Sequence, residues 1–303
     1  MTRGNDGRNV KSATLSVPVP KFASTRGTSD ANFGIKYDSS AVLDCQAMVM
    51  SRPAPLLPTD LKKTAILLDV DGTILDIAPT PREVFVPHSL RDTLARLWER
   101  TGGAVAFVSG RPVSELDLIF SPLQLPAIGG HGAELRIIAG EAATPPRLPL
   151  LDADVKRKFA AIAEAGPGII LEDKGYSLAL HYRLAPDKER VVRESAARIC
   201  AALAGTRIEL LPGKLVVEIK QSGVTKATAV RELMTCPPFA GRRPIFIGDD
   251  VTDQSVFAIV PDYNGISVGV GREVPGIDFC FEKPADVRRW LEQVSRNDAL
   301  ATS

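Results

Sequence analysis

Two aspartates stand one residue apart directly behind an apolar stretch of the chain. Asp69 and Asp71 follow the apolar run 65–68, and Gly72 and Thr73 come next. Two carboxylates this close repel each other, and burying them costs several kcal/mol unless a positive charge compensates. The pattern favours a bound cation as that compensation, and its other ligands should therefore come from elsewhere in the chain.

Polar residues of matching chemistry follow other stretches of the sequence. They are Ser109-Gly110-Arg111 after the run 104–108, Lys226 at the start of a helical stretch, and Asp249, Asp250 and Asp253 after the run 244–247. Ligands of open α/β sheets bind beyond the carboxyl ends of the strands, so these groups should meet. Asp69 and Asp249, with a backbone carbonyl near Asp71 and water, would supply the oxygen ligands that suit Mg²⁺.

An anion site should lie beside this cation. Ser109 can donate to a phosphate oxygen, and Lys226 can neutralise one. Lysine is disfavoured near the positive end of a helix, which favours a bound anion at Lys226. A cation beside an anion is the arrangement that phosphoryl transfer needs. Simpler interpretations stay open: Asp69, Asp71 and Ser109 as turn residues, and Asp253 as a helix cap.

The surrounding sequence alternates between buried-strand and helical patterns. Strands are predicted over 64–70, 104–110, 125–135, 243–250 and 265–270, and helices over 89–101, 112–120, 225–234, 252–260 and 285–294. This alternation is typical of a parallel sheet with helices on both faces. The region between differs, because helices over 153–165 and 187–205 are mixed with strand pairs over 168–183 and 207–220. We interpret it as a small α+β unit inserted into the first domain.

The ordered motifs DVDGT, SGR, a lysine before a helix, and GDDVTD resemble those of the haloacid dehalogenase (HAD) superfamily, over about residues 62–294. The resemblance implies an α/β fold: a doubly wound parallel sheet core with an inserted α+β cap domain of the second cap type. The expected organisation is a disordered tail and linker over 1–58, the core over 59–140 and 214–303, and the cap over 141–213.

Three further stretches, HGAE, EDKGYSLALHYR and GKLVVEIK, resemble the trehalose-6-phosphate phosphatases within that superfamily. The resemblance implies that the disaccharide contacts Glu172, Lys174, Arg183, Lys214 and Glu218, with His131 and Gly132 lining the site. Interpretations without a substrate stay open for these residues. Lys214 and Glu218 could form a surface ion pair, and the strand face with His181 and Arg183 could be solvent-exposed. The fourth motif departs from the family pattern, because Gln254 stands where a glutamate is usual.

The residues predict a Mg²⁺-dependent phosphatase of a sugar phosphate, and the resemblance implies hydrolysis of trehalose 6-phosphate to trehalose and phosphate through an aspartyl-phosphate intermediate. Asp69 would be the nucleophile and Asp71 the general acid and base. The other expected roles are phosphate binding by Ser109, Gly110, Arg111 and Lys226, and metal binding by Asp69, Asp71, Asp249, Asp250 and Asp253. Alternatives are a phosphatase of sucrose phosphate or mannosylglycerate phosphate, a mutase on the same core, and a non-catalytic binding module.

Composition limits the partners of the chain. It has 303 residues with 45% hydrophobic and 24% charged side chains, as expected for a globular protein. The net charge of +1 argues against nucleic acid or an anionic membrane as a partner. The sequence shows no signal peptide and no membrane span, and its four separated cysteines suggest reduced thiols. We expect a cytoplasmic protein, monomeric, with a small-molecule substrate.

Overall fold

The structure is a computed structural model that describes residues 58, 60–80, 83–164, 166–203 and 205–296. The predicted disorder of the tail 1–58 therefore lies outside the described residues, except at residue 58 itself. Within the described part of the chain, no helix has both the length and the apolar character to cross a membrane.

A seven-stranded sheet forms the core. In spatial order its strands are β11 (Phe279–Phe281), β10 (Ile266–Val270), β9 (Arg243–Gly248), β1 (Thr64–Leu68), β2 (Val105–Val108), β3 (Ala127–Gly129) and β4 (Glu134–Arg136). All neighbours pair in parallel except β3 and β4, which are antiparallel. The predicted parallel α/β sheet is thus confirmed, with one antiparallel strand at its edge.

Helices cover both faces of this sheet. They are α1 (His88–Thr101), α2 (Val113–Phe120), α5 (Lys226–Leu233), α6 (Gln254–Phe257) and α7 (Pro284–Arg296). All five residues of β1 are buried. Ile66 and Leu68 pack in one apolar cluster and Ala65 and Leu67 in another. A strand buried on both faces explains why its sequence is continuously apolar rather than alternating.

A second sheet of four antiparallel strands forms the cap. Its order is β5 (Ile170–Asp173), β6 (Ser177–His181), β8 (Val216–Gln221) and β7 (Ile208–Gly213). The helices α3 (Ala153–Glu164) and α4 (Glu189–Ala202) pack against it around one apolar cluster.

The expected cap boundary at residue 213 is wrong, because β8 pairs with both β6 and β7. A boundary there would divide a hairpin, so the cap sheet continues to Gln221. At the other end, the backbone of Thr144 and Arg147 still bonds to Leu135 and Ala133 of the core. The segment 141–147 therefore lies along the core rather than in the cap.

Two other elements differ from the prediction. The single helix expected over 252–260 is instead a 3₁₀ turn at Val251–Asp253, the short α6, and a second turn at Val260–Tyr263. The Asp253 side chain accepts a bond from the backbone of Asp250, which fixes the first turn tightly. Strand β11 was not predicted, since three residues are too few to show a strand period.

Candidate active site

The predicted site residues converge on one pocket between the carboxyl edge of the core sheet and the cap. Its lining includes Asp69, Asp71, Ser109, Gly110, Arg111, His131, Glu172, Lys174, Arg183, Lys214, Glu218, Lys226, Asp249 and Asp250. Of the expected residues, Gly132 and Asp253 are not in this lining. The rule that ligands gather beyond strand ends predicted this edge of the sheet, and the structure brings these side chains together there.

Asp69 is the centre of the core side of this pocket. Its side chain is buried; one oxygen accepts from Lys226 Nζ at 2.8 Å and the other from Thr73 Oγ1 at 2.9 Å. Burial raises the pKa of Asp69 to about 6, although Lys226 opposes the rise. Its backbone N–H donates to Ile247 of β9, which fixes the aspartate relative to the neighbouring strand.

Lys226 holds two carboxylates at once. It opens α5 behind the N-cap Thr225, whose side chain accepts from the Thr228 backbone. The buried ammonium donates to Asp253 at 2.7 Å as well as to Asp69. Burial works against the charge, but Asp253 and Asp69 raise the pKa of Lys226 above its ordinary range. This lysine therefore stays charged between the two carboxylates.

Three carboxylates surround a single ammonium. One oxygen each from Asp69, Asp249 and Asp253 lie within 4.8 Å of one another. We call Asp69, Asp249, Asp253 and Lys226 the core cluster. Burial, together with the charges of Asp69 and Asp253, raises the pKa of Asp249 to about 8. A set of hard oxygen donors with excess negative charge fits Mg²⁺.

The five expected metal ligands are not equivalent. Asp249 has one weak contact, from Thr73 Oγ1 at 3.4 Å, so its carboxylate is available to a metal. Asp253 is occupied by Lys226 and by the Asp250 backbone N–H. Asp250 caps its own turn through Val251, and Asp71 and Asp250 are not part of the three-carboxylate group. Asp69 and Asp249 therefore fit the metal best, with Asp253 holding Lys226.

Asp71 forms a bidentate ion pair with Arg111. The guanidinium donates from Nε at 2.6 Å and from Nη2 at 2.7 Å. Its Nη1 donates to Glu115 at 3.2 Å, and its backbone N–H to the Ser109 hydroxyl at 3.1 Å. Arg111 thus links Asp71, Ser109 and the first turn of α2.

On the cap side of the pocket, Glu218 has three side-chain partners. It is buried and accepts from Ser177 Oγ at 3.0 Å, pairs with Lys174 at 3.4 Å, and bonds His131 Nε2. Lys174 also donates to the Gly110 carbonyl at 3.0 Å. Burial alone would raise the pKa of Glu218, but His131 and Lys174 outweigh it and hold the pKa well below its usual range.

A second pair extends this side. Glu172 accepts from His181 Nε2 at 2.7 Å; burial opposes the charge, but His181 and Lys174 lower the pKa of Glu172. We call Glu172, Lys174, His181 and Glu218 the cap network. His181 is buried, so the alternative of a solvent-exposed strand face is wrong. Glu218 pairs with His131 and Lys174, which speaks against the surface ion pair with Lys214.

Arg183 reaches from the cap to the core. Its Nη1 donates to the Ala78 carbonyl at 2.8 Å, and its buried Nε has no hydrogen-bond partner among the residues that the structure describes. Burial lowers the pKa of Arg183. Lys214 precedes Leu215, which has a positive φ of 59° at the turn between β7 and β8. Both side chains line the pocket.

Two glycines permit the close approaches of the site. A Cβ on Gly72, which has φ +84°, would lie 2.1 Å from Asp249 Oδ2. Gly132 has φ +106°, and its Cβ would lie 2.3 Å from the Thr225 carbonyl. Gly132 thus packs against the start of α5, a place more suited to positioning Lys226 than to touching a sugar.

Sequence reasoning left several lining or supporting residues unassigned. Thr73 links Asp69 to Asp249, Glu115 pairs with Arg111, and Tyr176 donates to Glu134 at 3.0 Å. Thr73 lies inside the quoted DVDGT motif, and its spacing of four from Asp69 was a usable signal. Glu115 follows Arg111 by four residues, which is a standard helical pairing, but only the fold places it in the pocket.

Comparison with known proteins agrees with this geometry. The C-terminal domain of C. albicans trehalose-6-phosphate phosphatase is similar in structure with a TM-score of 0.70, 20% identity, and coverage of 77% of this chain and 92% of that one. Other structural relatives include phosphatases of the HAD superfamily. The core sheet with its inserted cap and strand-end acids therefore defines a HAD-type phosphatase fold, as predicted.

Sequence relatives narrow the class. A Sinorhizobium fredii probable trehalose-phosphate phosphatase is 41% identical over 76% of this chain and 86% of the relative. The Escherichia coli trehalose-6-phosphate phosphatase is 37% identical over 81% of this chain and 92% of the relative. The trehalose-phosphatase family model matches residues 67–279. The chain belongs to the trehalose-phosphatase family, and it is a phosphoric monoester hydrolase.

Proposed function

We propose that the chain hydrolyses trehalose 6-phosphate to trehalose and inorganic phosphate, using Mg²⁺ and an aspartyl-phosphate intermediate. The observation that carries this proposal is the position of Asp69. It lies in the core cluster beside Lys226, and the pocket it lines is closed on the opposite side by the cap network. A phosphate site facing a polar, hydrogen-bonding wall suits a phosphorylated sugar.

The proposed first step transfers the phosphoryl group to the protein. An Asp69 oxygen attacks phosphorus, the bond from phosphorus to the sugar oxygen breaks, and Asp71 gives that oxygen a proton. Lys226 and the Ser109 hydroxyl contact the phosphoryl oxygens as their charge develops. Bound through Asp69 and Asp249, Mg²⁺ would supply further positive charge at this place.

The second step reverses the proton transfer. Asp71 takes a proton from water, the water oxygen bonds to phosphorus, and the bond to Asp69 breaks to release inorganic phosphate. Asp71 is paired with Arg111 through both oxygens in the structure. We infer that the arriving phosphate draws part of the guanidinium away, so that Asp71 can reach the sugar oxygen.

The cap would recognise the sugar and exclude bulk water from the pocket. Glu172, Lys174 and Glu218 offer charged hydrogen-bonding groups to sugar hydroxyls, and Arg183 and Lys214 border the same space. Closure over the pocket keeps bulk water from the intermediate until the sugar has left.

Phosphate release from a substrate panel tests this proposal. The panel should contain trehalose 6-phosphate, sucrose 6-phosphate and glucose 6-phosphate, each with and without Mg²⁺. We expect the highest kcat/KM for trehalose 6-phosphate and little release without the metal. A higher kcat/KM for sucrose 6-phosphate or glucose 6-phosphate would reject the assigned substrate.

A further inference from the structure

A fully buried lysine lies at the edge of the cap, outside the pocket lining. Lys220 on β8 is only 2% exposed, and its ammonium has three acceptors. It contacts Glu209 of β7 at 2.5 Å, the Val224 carbonyl at 2.5 Å and the Gln221 carbonyl at 3.5 Å. An ammonium has three N–H donors, so these acceptors account for all of them.

The contacts of Lys220 join two parts of the molecule. Lys220 and Glu209 are directly opposite in the cap sheet. Val224 lies past the end of β8 at Gln221, in the connection that leads to α5 at Lys226. One ammonium therefore ties the last cap strand to the segment by which the chain returns to the core.

The segment that Lys220 holds has other contacts as well, because the Val224 side chain packs against the cluster of Ala133, Leu148 and Tyr176. The Ser222 N–H donates to Arg207 at 2.7 Å, and Thr225 caps α5 immediately before Lys226. On the core side, Gly132 packs against the Thr225 carbonyl. A rotation of the cap about residues 222–225 would have to stretch the bond from Lys220 to Val224.

Lys220 also shares a strand face with Glu218 of the cap network. Glu218 and Lys220 are two residues apart on β8, so their side chains leave the same face of the sheet. Glu218 reaches His131 on the core, while Lys220 reaches the connection. The orientation of β8 relative to the core is thus fixed at two places along one strand.

We propose that Lys220 is a positioning residue that clamps the cap in its closed orientation over the core. Losing the contact to Val224 would leave a buried ammonium short of one acceptor, which is costly, so the closed arrangement is favoured whenever this contact is made. By holding β8, Lys220 keeps Glu218 facing the core, where it bonds His131. The inference rests on the proposed function, because it assumes that the cap binds the sugar.

Lys220→Met tests the clamp, because methionine keeps an apolar stem and removes the ammonium. The measured quantity is kcat/KM for trehalose 6-phosphate and for p-nitrophenyl phosphate, which has no sugar for the cap to bind. We expect a fall of about 10- to 100-fold for the sugar phosphate. For the aryl phosphate we expect a change of less than about threefold. Wild-type rates with both substrates test the proposed function separately, so failure there is distinct from failure of the clamp.

Lys156→Met is the matched control. Lys156 is also a cap lysine paired with an acid, Asp173 at 2.9 Å, but it does not touch the connection. Since exposed ion pairs contribute about 0–1 kcal/mol, its loss should change either kcat/KM by less than about fivefold.

Hydrogen exchange of the backbone supplies a readout that general destabilisation would not reproduce. In Lys220→Met the amides of 222–229 should exchange faster, while those of β1 keep the wild-type rate. Glu209→Gln is the second variant if methionine prevents folding, because it removes the charged partner that fixes the ammonium beside Val224 and so weakens the bond to Val224. It should lower the ratio of the two kcat/KM values by about 3- to 10-fold. Equal falls for both substrates, no fall for either, or unchanged exchange over 222–229 would each overturn the proposal.

Discussion

The two sides of the pocket shift the pKa values of their carboxyl groups in opposite directions. In the core cluster three acids lie close together and one ammonium bonds two of them, and the pKa values of Asp69 and Asp249 are raised to about 6 and about 8. In the cap network the acids have basic partners, and the pKa values of Glu172 and Glu218 are lowered. Burial acts against charge on both sides, so the difference comes from the neighbours.

This difference predicts a different kind of ligand for each side of the pocket. The core cluster carries negative charge that its own lysine does not balance, so it favours a cation. In the cap network each acid already has a basic side chain as a partner, so a ligand there must replace contacts that the protein already makes. A sugar hydroxyl can do so without bringing charge, whereas a second phosphate would bring negative charge beside Glu172 and Glu218.

The largest expected effect is on the core side. Asp69→Asn should lower kcat on the order of 10⁴-fold or more for any phosphate ester, because an amide is a poor nucleophile. The phosphatase assay should be paired with thermal unfolding. Without metal, the variant should unfold at the same or a higher temperature, since one of three crowded charges is gone. A folded variant with substantial turnover would remove Asp69 from the nucleophile's role.

Metal removal should come next in size. Chelation with EDTA should lower kcat by roughly a thousandfold or more, and added Mg²⁺ should restore it. Mg²⁺ should also raise the unfolding temperature of the wild type, because it binds the folded core cluster. Asp249→Asn is the control variant, and it should lose both the rescue and the thermal shift. Activity that survives chelation, or rescue by Zn²⁺ alone, would contradict an oxygen-only magnesium site.

The same contrast explains what the sequence could predict. Acids, serine and lysine after apolar strands are local signals, and the rule that strand ends gather at one edge brought Asp69, Ser109 and Asp249 together. The motifs placed Glu172 and Glu218 at the site by resemblance. Their partners were not predictable, because Glu218 meets His131 from another domain, 87 positions away.

Packing decided the remaining differences. Arg111 was expected to bind phosphate, and whether it would first pair with Asp71, 40 positions earlier, depends on side-chain directions that spacing does not contain. The cap boundary was misplaced because the strand pattern over 214–220 fits either sheet, and only pairing with β6 and β7 decides between them. Buried Lys220 gave no signal at all, since an isolated lysine on a strand is usually exposed.

A moderate effect is expected from the cap side. Glu218→Gln should lower kcat/KM for trehalose 6-phosphate about 10- to 150-fold, the equivalent of one charged hydrogen bond, and barely change that for p-nitrophenyl phosphate. Glutamine keeps the size of the side chain and removes its charge. Glu194→Gln, on the exposed face of α4, is the control and should leave both values unchanged. Parallel losses with the two substrates would mean that Glu218 supports the fold rather than the sugar.

The smallest effect concerns the pH dependence of metal binding. Without metal, burial and the neighbouring acids raise the pKa of Asp249 to about 8, so below that pH its carboxyl is protonated. Mg²⁺ binds only the ionised form, and binding must release the proton. The Kd for Mg²⁺ should therefore fall by up to about tenfold per unit as pH rises from 6 to 8, and level off above.

The stability of the metal-free protein should change in the opposite sense. Because the pKa of Asp249 is higher in the folded state than in the unfolded state, the folded state binds more protons. The free energy of unfolding therefore falls as pH rises from 4 to 8. Calorimetric titration of Mg²⁺ in two buffers of different ionisation enthalpy measures the released proton directly. Asp154→Asn, in the exposed first turn of α3, is the control and should keep the same pH dependence, since Asp154 is not among the acids beside Asp249. A Kd that is constant between pH 6 and 8, with no proton released, would show that Asp249 is already ionised before the metal arrives.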